Sequence, residues 1–198
     1  MRIAVGLKAH SGWAALVAIG LSGNDLRVID RRRIELVDPG DIDWAKQPYH
    51  AADGLPPKDA AKLVQRGIDA ANRVAVREMR ALVERSKKAG HKIVGCGVLV
   101  GTPMPEWTVD QIRAVHVRMH KAEGVLFPAA LTVAAETCGL NVVAIPEKTL
   151  DARVEESMDL AVAMETMAAL GKSAGPPWGK DQKTATLAAM IVLEEASR

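Results

Sequence analysis

The sequence predicts an α/β fold built on a five-stranded mixed sheet, with helices on both faces. Two observations predict it. Three extended apolar runs with short turns between them open the chain, which is typical of an antiparallel meander. Long helical patterns then alternate with two short apolar runs, which is typical of parallel strands joined through helices.

The meander forms the first part of this predicted sheet. Its runs are RIAVGL, WAALVAIG and LRVIDRRRIELV, at residues 2–7, 13–20 and 26–37, and its turns are HSG and SGND. Glycine and asparagine favour tight turns in such short connections. The third run carries Arg31, Arg32 and Arg33, of which at most two share a face. This pattern is more typical of a protected edge strand than of a nucleic-acid patch.

A long loop, a long helix and a central strand follow. Residues 38–57 are rich in proline, glycine and acids, and a loop of this length is uncommon in a compact domain unless it has a function. Residues 58–88 repeat apolar side chains at helical spacing, and Gly90 follows as a stop signal. The run KIVGCGVLVG at 92–101 has no alternation, so it predicts a strand that is covered on both faces.

The last third of the chain predicts more helices and a fifth strand. A second helix is expected to begin near Thr108 or Asp110 and to continue to about residue 138, with a kink or a break at Gly124 and Pro128. The remaining elements are a fifth strand, a third helix, a loop and a closing helix, at 141–147, 151–170, 171–179 and 181–196.

Composition limits the classes of protein. The 198 residues are 48% hydrophobic, enough for one domain over residues 1–198. The chain has 26 Lys and Arg residues and 24 Asp and Glu residues, a formal net charge of +2. The electrostatic field of the whole chain is therefore too weak to draw it to nucleic acid or membranes. No signal peptide and no apolar run of about 18 residues is present, which predicts a cytoplasmic protein without a membrane partner. Cys96 and Cys138 match no disulfide or metal spacing.

Three stretches carry a family likeness: GLKAHSGWAALVAIG, HKAEGVLFPAALTVAAETCGLNVVAIPE and DQKTATLAAMIVL. In these stretches and in the order of its elements, the chain resembles the Holliday-junction-resolvase branch of the ribonuclease H-like superfamily. The resemblance covers most of the chain and implies a ribonuclease H-like domain over 1–198. The chain also resembles a bacterial group with QPYHAA, HKAEG and PPWGKDQK-like stretches, and this second resemblance implies no activity.

The resolvase resemblance implies a site of about four acids that hold two divalent cations beside the scissile phosphate. This chain departs from that pattern. The first-strand acid falls on Lys8, and the central strand carries no acid. The closing-helix acids fall near Gln182 and Ala185, which leaves Asp181 one position, or about 100 degrees, out of register. We therefore expect a degenerate two-metal site without a bound metal, with Mg²⁺ or Mn²⁺ as the alternative.

The carboxyl ends of the parallel strands are the expected place for a site, because ligands of open α/β sheets bind there. The candidates at this edge are Lys8, His10, Glu106, Glu147, Lys148, Trp178, Asp181 and Lys183. Glu106 and Glu147 could replace the missing acids from loops. The alternative is that both are solvated loop charges and that Asp181 only complements the positive start of its helix.

A second constellation is polar and lies on the second helix. His116, His120 and Glu123 can lie along one stripe of that helix. An HxxxH pair with a carboxylate could bind zinc, but Arg113 and Lys121 flank the stripe. A general acid/base or phosphate-contact role for His120, oriented by Glu123, is favoured over metal binding, and an ordinary polar helix face is the main alternative to both.

The long loop adds His50 beside the only tyrosine, Tyr49. This loop can form a lid over the sheet edge, cover the sheet or contact a second subunit. At the entry of the closing helix, Trp178 is either a packing anchor or a surface for base stacking. Both His50 and Trp178 are therefore candidates for ligand binding.

Three functions remain open. The first is a ribonuclease H-like binding or scaffold module for nucleic acid, nucleotide or protein, with Lys8, His10, His50, Trp178 and Lys183 as ligand-binding residues. The second is a phosphodiester hydrolase with a rebuilt catalytic site of His120, Glu123, Glu147 and Asp181. The third is a structural protein whose second helix forms a homo-oligomer interface.

Overall fold

The computed structural model describes residues 1–23 and 25–198 and contains a five-stranded sheet of order β3-β2-β1-β4-β5. The pairs β1–β2 and β2–β3 are antiparallel, and the pairs β1–β4 and β4–β5 are parallel. The predicted mixed sheet is therefore confirmed. The predicted SGND turn includes Asn24, which lies outside the described residues. The strands are β1 (Arg2–His10), β2 (Trp13–Ser22), β3 (Asp25–Glu35), β4 (Lys92–Val100) and β5 (Val142–Pro146).

Helices cover both faces of the sheet, as predicted. They are α1 (Ile42–Ala45), α2 (Pro48–Ala51), α3 (Pro57–Lys88), α4 (Val109–Arg113), α5 (His116–Thr137), α6 (Leu150–Ser157), α7 (Leu160–Ala174) and α8 (Lys180–Glu195). Single 3₁₀ turns occupy Pro39–Asp41 and Glu147–Thr149. The predicted long loop at 38–57 thus contains α1 and α2. No helix in the described part of the chain combines the length and the apolar content needed to cross a bilayer.

The second predicted helix is two helices, and the break is not where the sequence predicts it. Backbone dihedrals of φ −140° and ψ 112° make Val115 extended, and α5 then runs unbroken through Gly124 and Pro128. Pro128 is buried, so tertiary packing offsets the hydrogen bond that its ring removes. The bend at Val115 lets Ile112 of α4 and Met119 of α5 pack into one small apolar cluster.

The third predicted helix, at 151–170, is also two helices. Helix α6 ends at Ser157, and α7 begins after Asp159, whose carboxylate accepts a hydrogen bond of 3.0 Å from the backbone N–H of Val162. This is an N-cap contact, which satisfies a free N–H of a helix start. The Asp159 cap was the signal in the sequence for a new helix start.

Two hydrophobic cores lie on opposite faces of the sheet. Alternate residues of β1 face opposite sides: Ile3, Val5 and Leu7 pack beneath α3 and α5, whereas Ala4 packs with α6, α7 and α8. Strand β4 also contributes to both cores, as the sequence predicts for a central strand. The small cluster that contains Ile112 and Met119 lies apart from both cores, between α2, α3, α4 and α5.

Helix α8 contacts the backbone of the central strands directly. A Cβ atom added to Gly6 of β1 would overlap the carbonyl oxygen of Ala185, and one added to Gly97 of β4 would lie 2.7 Å from the carbonyl oxygen of Ala188. Residues 185, 188 and 189 of α8 are all alanine and fully buried. Glycine on the strands and alanine on the helix therefore set this close approach, which fixes the start of α8 beside the end of β1.

The Gly6→Ala variant tests this packing. We expect a fall of about 3 kcal/mol or more in the free energy of unfolding, because a clash with backbone atoms cannot be relieved by rotating a side chain. Urea denaturation measures it. The control is Gly124→Ala, at an exposed helical position where an added Cβ atom meets no atom within 4 Å. It should leave stability unchanged or raise it by up to about 1 kcal/mol; equal effects would contradict the close packing of α8.

The two free cysteines differ in burial and give a second test. Burial, with a smaller contribution from Cys138, raises the pKa of the Cys96 thiol to about 12. Burial also raises the pKa of the half-buried Cys138, against the lowering effect of Arg80. Because the thiolate is the reactive form, iodoacetamide at mildly alkaline pH should modify Cys138 in the folded protein and Cys96 only after unfolding. Mass spectrometry that finds Cys96 modified in the folded protein would contradict this prediction.

Candidate functional site

The carboxyl ends of β1, β4 and β5 form one edge of the sheet, and an ion pair lies there. Lys8, near the end of β1, donates a hydrogen bond from its ammonium group to the carboxylate of Glu147, in the turn after β5. The Lys8 side chain is only 15% exposed. Side chains alternate between the two faces of a strand, so Lys8, four residues after Ala4, lies on the face of the sheet that packs against α8.

A second polar contact at this edge joins β1 to α8. The Nε2 atom of His10 lies 3.0 Å from Oδ1 of Asp181, although the approach does not have the direction of a hydrogen bond. The imidazole stacks on Trp13 with 4.3 Å between ring centroids, and the guanidinium carbon of Arg33 lies 4.1 Å from the centroid of the indole ring. Asp181 therefore lies beside a stack of His10, Trp13 and Arg33 at the end of β1.

A groove lies beside the Lys8–Glu147 ion pair, between the segments that follow β4 and β5. Its volume is about 560 Å³. The lining residues are Val100, Gly101, Thr102, Pro103, Pro146, Glu147, Lys148 and Thr149. Glu106 lies farther along the first of these segments and is exposed. The groove makes the sheet edge accessible to a ligand.

The remaining predicted residues of this edge lie around the start of α8. Trp178 packs its ring against Gly171 of α7, and Lys183 is exposed on α8. Arg31 of β3 donates hydrogen bonds to the carbonyl oxygens of Gly175, Pro176 and Pro177, at 2.5, 3.2 and 2.9 Å. This arginine ties the loop before α8 to the edge strand, a role that the sequence pattern did not indicate.

A cluster of histidines lies on α2 and α5. His116 and His120 lie one turn apart on α5, and His50 reaches them from α2. The ring centroids are 5.2 Å apart for His50 and His116, 4.7 Å for His50 and His120, and 4.5 Å for His116 and His120. One nitrogen of each ring lies within 4.8 Å of the others. We call His50, His116 and His120 the histidine cluster.

A buried carboxylate holds one member of the histidine cluster. Glu123 is 4% exposed, and its oxygens lie 2.8 Å from Nδ1 of His50 and 3.1 Å from the backbone nitrogen of the same residue. The side-chain amide of Gln47 donates a third hydrogen bond, at 3.3 Å. Buried charge needs such partners, because an unpaired carboxylate in the interior is costly. Glu123 therefore fixes α2 against α5.

The apolar support of the histidine cluster is the small cluster between α2, α3, α4 and α5. Tyr49, adjacent to His50, and Ala122, adjacent to Glu123, are both part of it. Burial raises the pKa of the Tyr49 phenol, and the negative charge of Glu123 raises it further. Arg113 donates a hydrogen bond of 2.7 Å to the carbonyl oxygen of Leu55 and thereby attaches the segment after α2 to α4.

The structure divides the four predicted catalytic residues between two places. Glu147 and Asp181 lie at the sheet edge, each beside a basic partner on β1. His120 and Glu123 lie in and beside the histidine cluster, where Glu123 contacts His50 rather than His120. The sequence predicted His120 and Glu123 as a pair; the residue that Glu123 orients is His50.

No protein-family model and no curated protein matches the chain. Solved structures are similar to it, and two of them are structures of RuvC. The structure of Thermus thermophilus RuvC in complex with a Holliday junction substrate matches with a TM-score of 0.51 and 10% identity, over 100% of this chain and 96% of that chain. A second Thermus thermophilus RuvC structure matches with a TM-score of 0.52 and 10% identity, over 98% and 94%. These matches confirm the predicted resolvase-like, ribonuclease H-like fold. At 10% identity they show a similarity of fold alone.

Replacement of Glu123 tests the support of the histidine cluster. We expect Glu123→Ala to lower the free energy of unfolding by about 2 to 3 kcal/mol, because the part-buried hydrogen bonds from Gln47 and His50 lose their acceptor. Thermal and urea denaturation measure the change. The control is Glu106→Ala, which removes an exposed glutamate and should have no measurable effect. Equal stability of the two variants would contradict the role assigned to Glu123.

Proposed function

We propose that this chain is a nucleic-acid-binding module of the ribonuclease H-like fold that does not use two-metal cleavage at its sheet edge. The ion pair between Lys8 and Glu147 is the observation that carries the proposal. An ammonium group in this place repels divalent cations and engages the carboxylate that a metal ion would need.

The residues at the sheet edge do not fit a pair of Mg²⁺ or Mn²⁺ ions. Two-metal sites need carboxylates that contact both ions. Here the Glu147 carboxylate is paired with Lys8, the Asp181 carboxylate lies beside His10, and the strand KIVGCGVLV carries no acid. This arrangement supports a degenerate nuclease site.

Exposed lysines surround the same edge and supply positive charge for a phosphate backbone. Lys148 follows Glu147, and Lys180 and Lys183 lie one turn apart at the start of α8. None of the three forms an ion pair within residues 1–23 and 25–198. With a formal net charge of only +2, the chain would depend on this local patch rather than on its total charge.

The choice of nucleic acid follows from the fold. One of the similar solved structures is RuvC bound to a Holliday junction, and the likeness extends over the whole of this chain. A low aromatic content of 3% disfavours single strands, whose bases stack on aromatic side chains. Branched duplex DNA is therefore the ligand that we propose.

The alternative of a hydrolase with a rebuilt site has less support. It needs His120, Glu123, Glu147 and Asp181 to act on one bond. The pairing of Glu147 with Lys8 and the contacts of Glu123 with α2 engage these acids in two different places. This division favours binding without cleavage.

A triple variant, Lys148→Ala with Lys180→Ala and Lys183→Ala, tests the proposal. We expect weaker binding to a fluorescent four-way DNA junction, measured by anisotropy. The slope of log affinity against log salt should fall by about 2 to 3, because each lost phosphate contact removes about 0.9. Wild-type protein with Mg²⁺ should leave the junction intact on a denaturing gel.

The matched control removes three exposed lysines from the opposite edge of the sheet, in Lys87→Ala with Lys88→Ala and Lys92→Ala. It changes the net charge equally and should keep most of the binding. Equal losses in the two triple variants would overturn the proposed surface. Junction cleavage that Asp181→Ala abolishes would overturn the degenerate site.

A further inference from the structure

We propose that the histidine cluster binds one transition-metal ion of the Zn²⁺ class through imidazole nitrogens of His50, His116 and His120. The proposal does not depend on nucleic-acid binding, because it involves α2 and α5 and none of the ion pairs at the sheet edge. Three observations support it: the orientation of His50, the separation of the ring nitrogens and the exposure of the cluster.

Glu123 orients His50 for metal binding. The carboxylate lies 2.8 Å from Nδ1 of His50 and can accept a hydrogen bond only from the tautomer with hydrogen on that nitrogen; in the neutral ring the lone pair is then on Nε2, which faces the other two histidines. This free Nε2 lies 3.4 Å from Nε2 of His116. A carboxylate that holds one nitrogen of a histidine while the other nitrogen binds metal is the common outer-shell arrangement of zinc sites.

The separation of the nitrogens fits a tetrahedral ion. Zinc–nitrogen bonds of about 2.0 to 2.1 Å at tetrahedral angles place two ligand nitrogens about 3.3 to 3.4 Å apart. The Nε2 atoms of His50 and His116, at 3.4 Å, already have this separation. All three ligand nitrogens lie within 4.8 Å of one another, so the third nitrogen is within reach of a side-chain rotation. His116 and His120 are one helical turn apart, a spacing that lets both rings reach one ion.

The ligand chemistry selects the class of ion. Three neutral imidazoles suit Zn²⁺, Cu²⁺ or Ni²⁺, whereas Mg²⁺ and Ca²⁺ prefer oxygen ligands. The negative charge on the buried Glu123 balances part of the charge of the ion. Among the flanking basic residues, Arg113 is occupied by the carbonyl oxygen of Leu55, at 2.7 Å.

The exposure of the cluster indicates an open coordination position. His116 and His120 are exposed, and His50 is partly buried. Structural zinc sites have four protein ligands and are closed, whereas three protein ligands leave a position for water or another molecule. The described residues offer three ligands here, so the fourth is expected to come from solvent or from a bound molecule.

Isothermal titration with Zn²⁺ and visible spectroscopy with Co²⁺ test the site on tag-free, metal-stripped protein. Wild-type protein should bind one ion per chain, and Co²⁺ should show the intense absorption of tetrahedral coordination. His50→Ala, His116→Ala and His120→Ala should each lose one-to-one binding. Glu123→Gln should bind about 10- to 100-fold more weakly, because it keeps the ligands and alters only their support. His91→Ala removes a histidine outside the cluster and should bind as wild type does.

Retention of wild-type affinity in any of the three cluster variants overturns the site, as does the absence of binding in wild-type protein. Circular dichroism of each variant shows that lost binding is not lost folding. Because the titrations contain no DNA, failure of the metal site and failure of the nucleic-acid proposal are distinguished by separate measurements.

Discussion

The direct packing of α8 on β1 and β4 is the constraint on which the rest of the structure depends. Gly6 and Gly97 leave room for the helix backbone, and the small face of α8 contributes Ala185 and Ala188. Because neither glycine places a side chain between the strand and the helix at these two points, the helix cannot slide there without a backbone clash. The first turn of α8 is therefore fixed beside the end of β1, and Asp181 is fixed beside His10.

The fold could be predicted because its signals are local and strong. The periodicity of α3 extends over its whole length, and the uninterrupted apolar run of β4 shows that both of its faces are covered. The break between α4 and α5 could not be predicted in this way, because it follows from tertiary contacts. Burial of Pro128 keeps α5 continuous, whereas the shared cluster of Ile112 and Met119 bends the chain at Val115.

The sequence predicted the residue types of the candidate site better than it predicted which of these residues contact one another. The sequence indicates a basic residue in place of an acid at Lys8, and the structure adds that Glu147 is its partner. It also places His116 and His120 on one stripe of a helix. The proximity of His50 to these two histidines could not be predicted from the sequence, because α2 contacts α5 only through residues far apart in the chain.

The Lys8–Glu147 pair also limits how the sheet edge can change. Loss of the lysine alone leaves a half-buried carboxylate facing a groove, and loss of the glutamate alone leaves a mostly buried ammonium without a counter-charge. An acid at position 8 would set two like charges side by side. Each position therefore constrains the other, although Lys8 lies on β1 and Glu147 follows β5, a strand that is not a neighbour of β1 in the sheet.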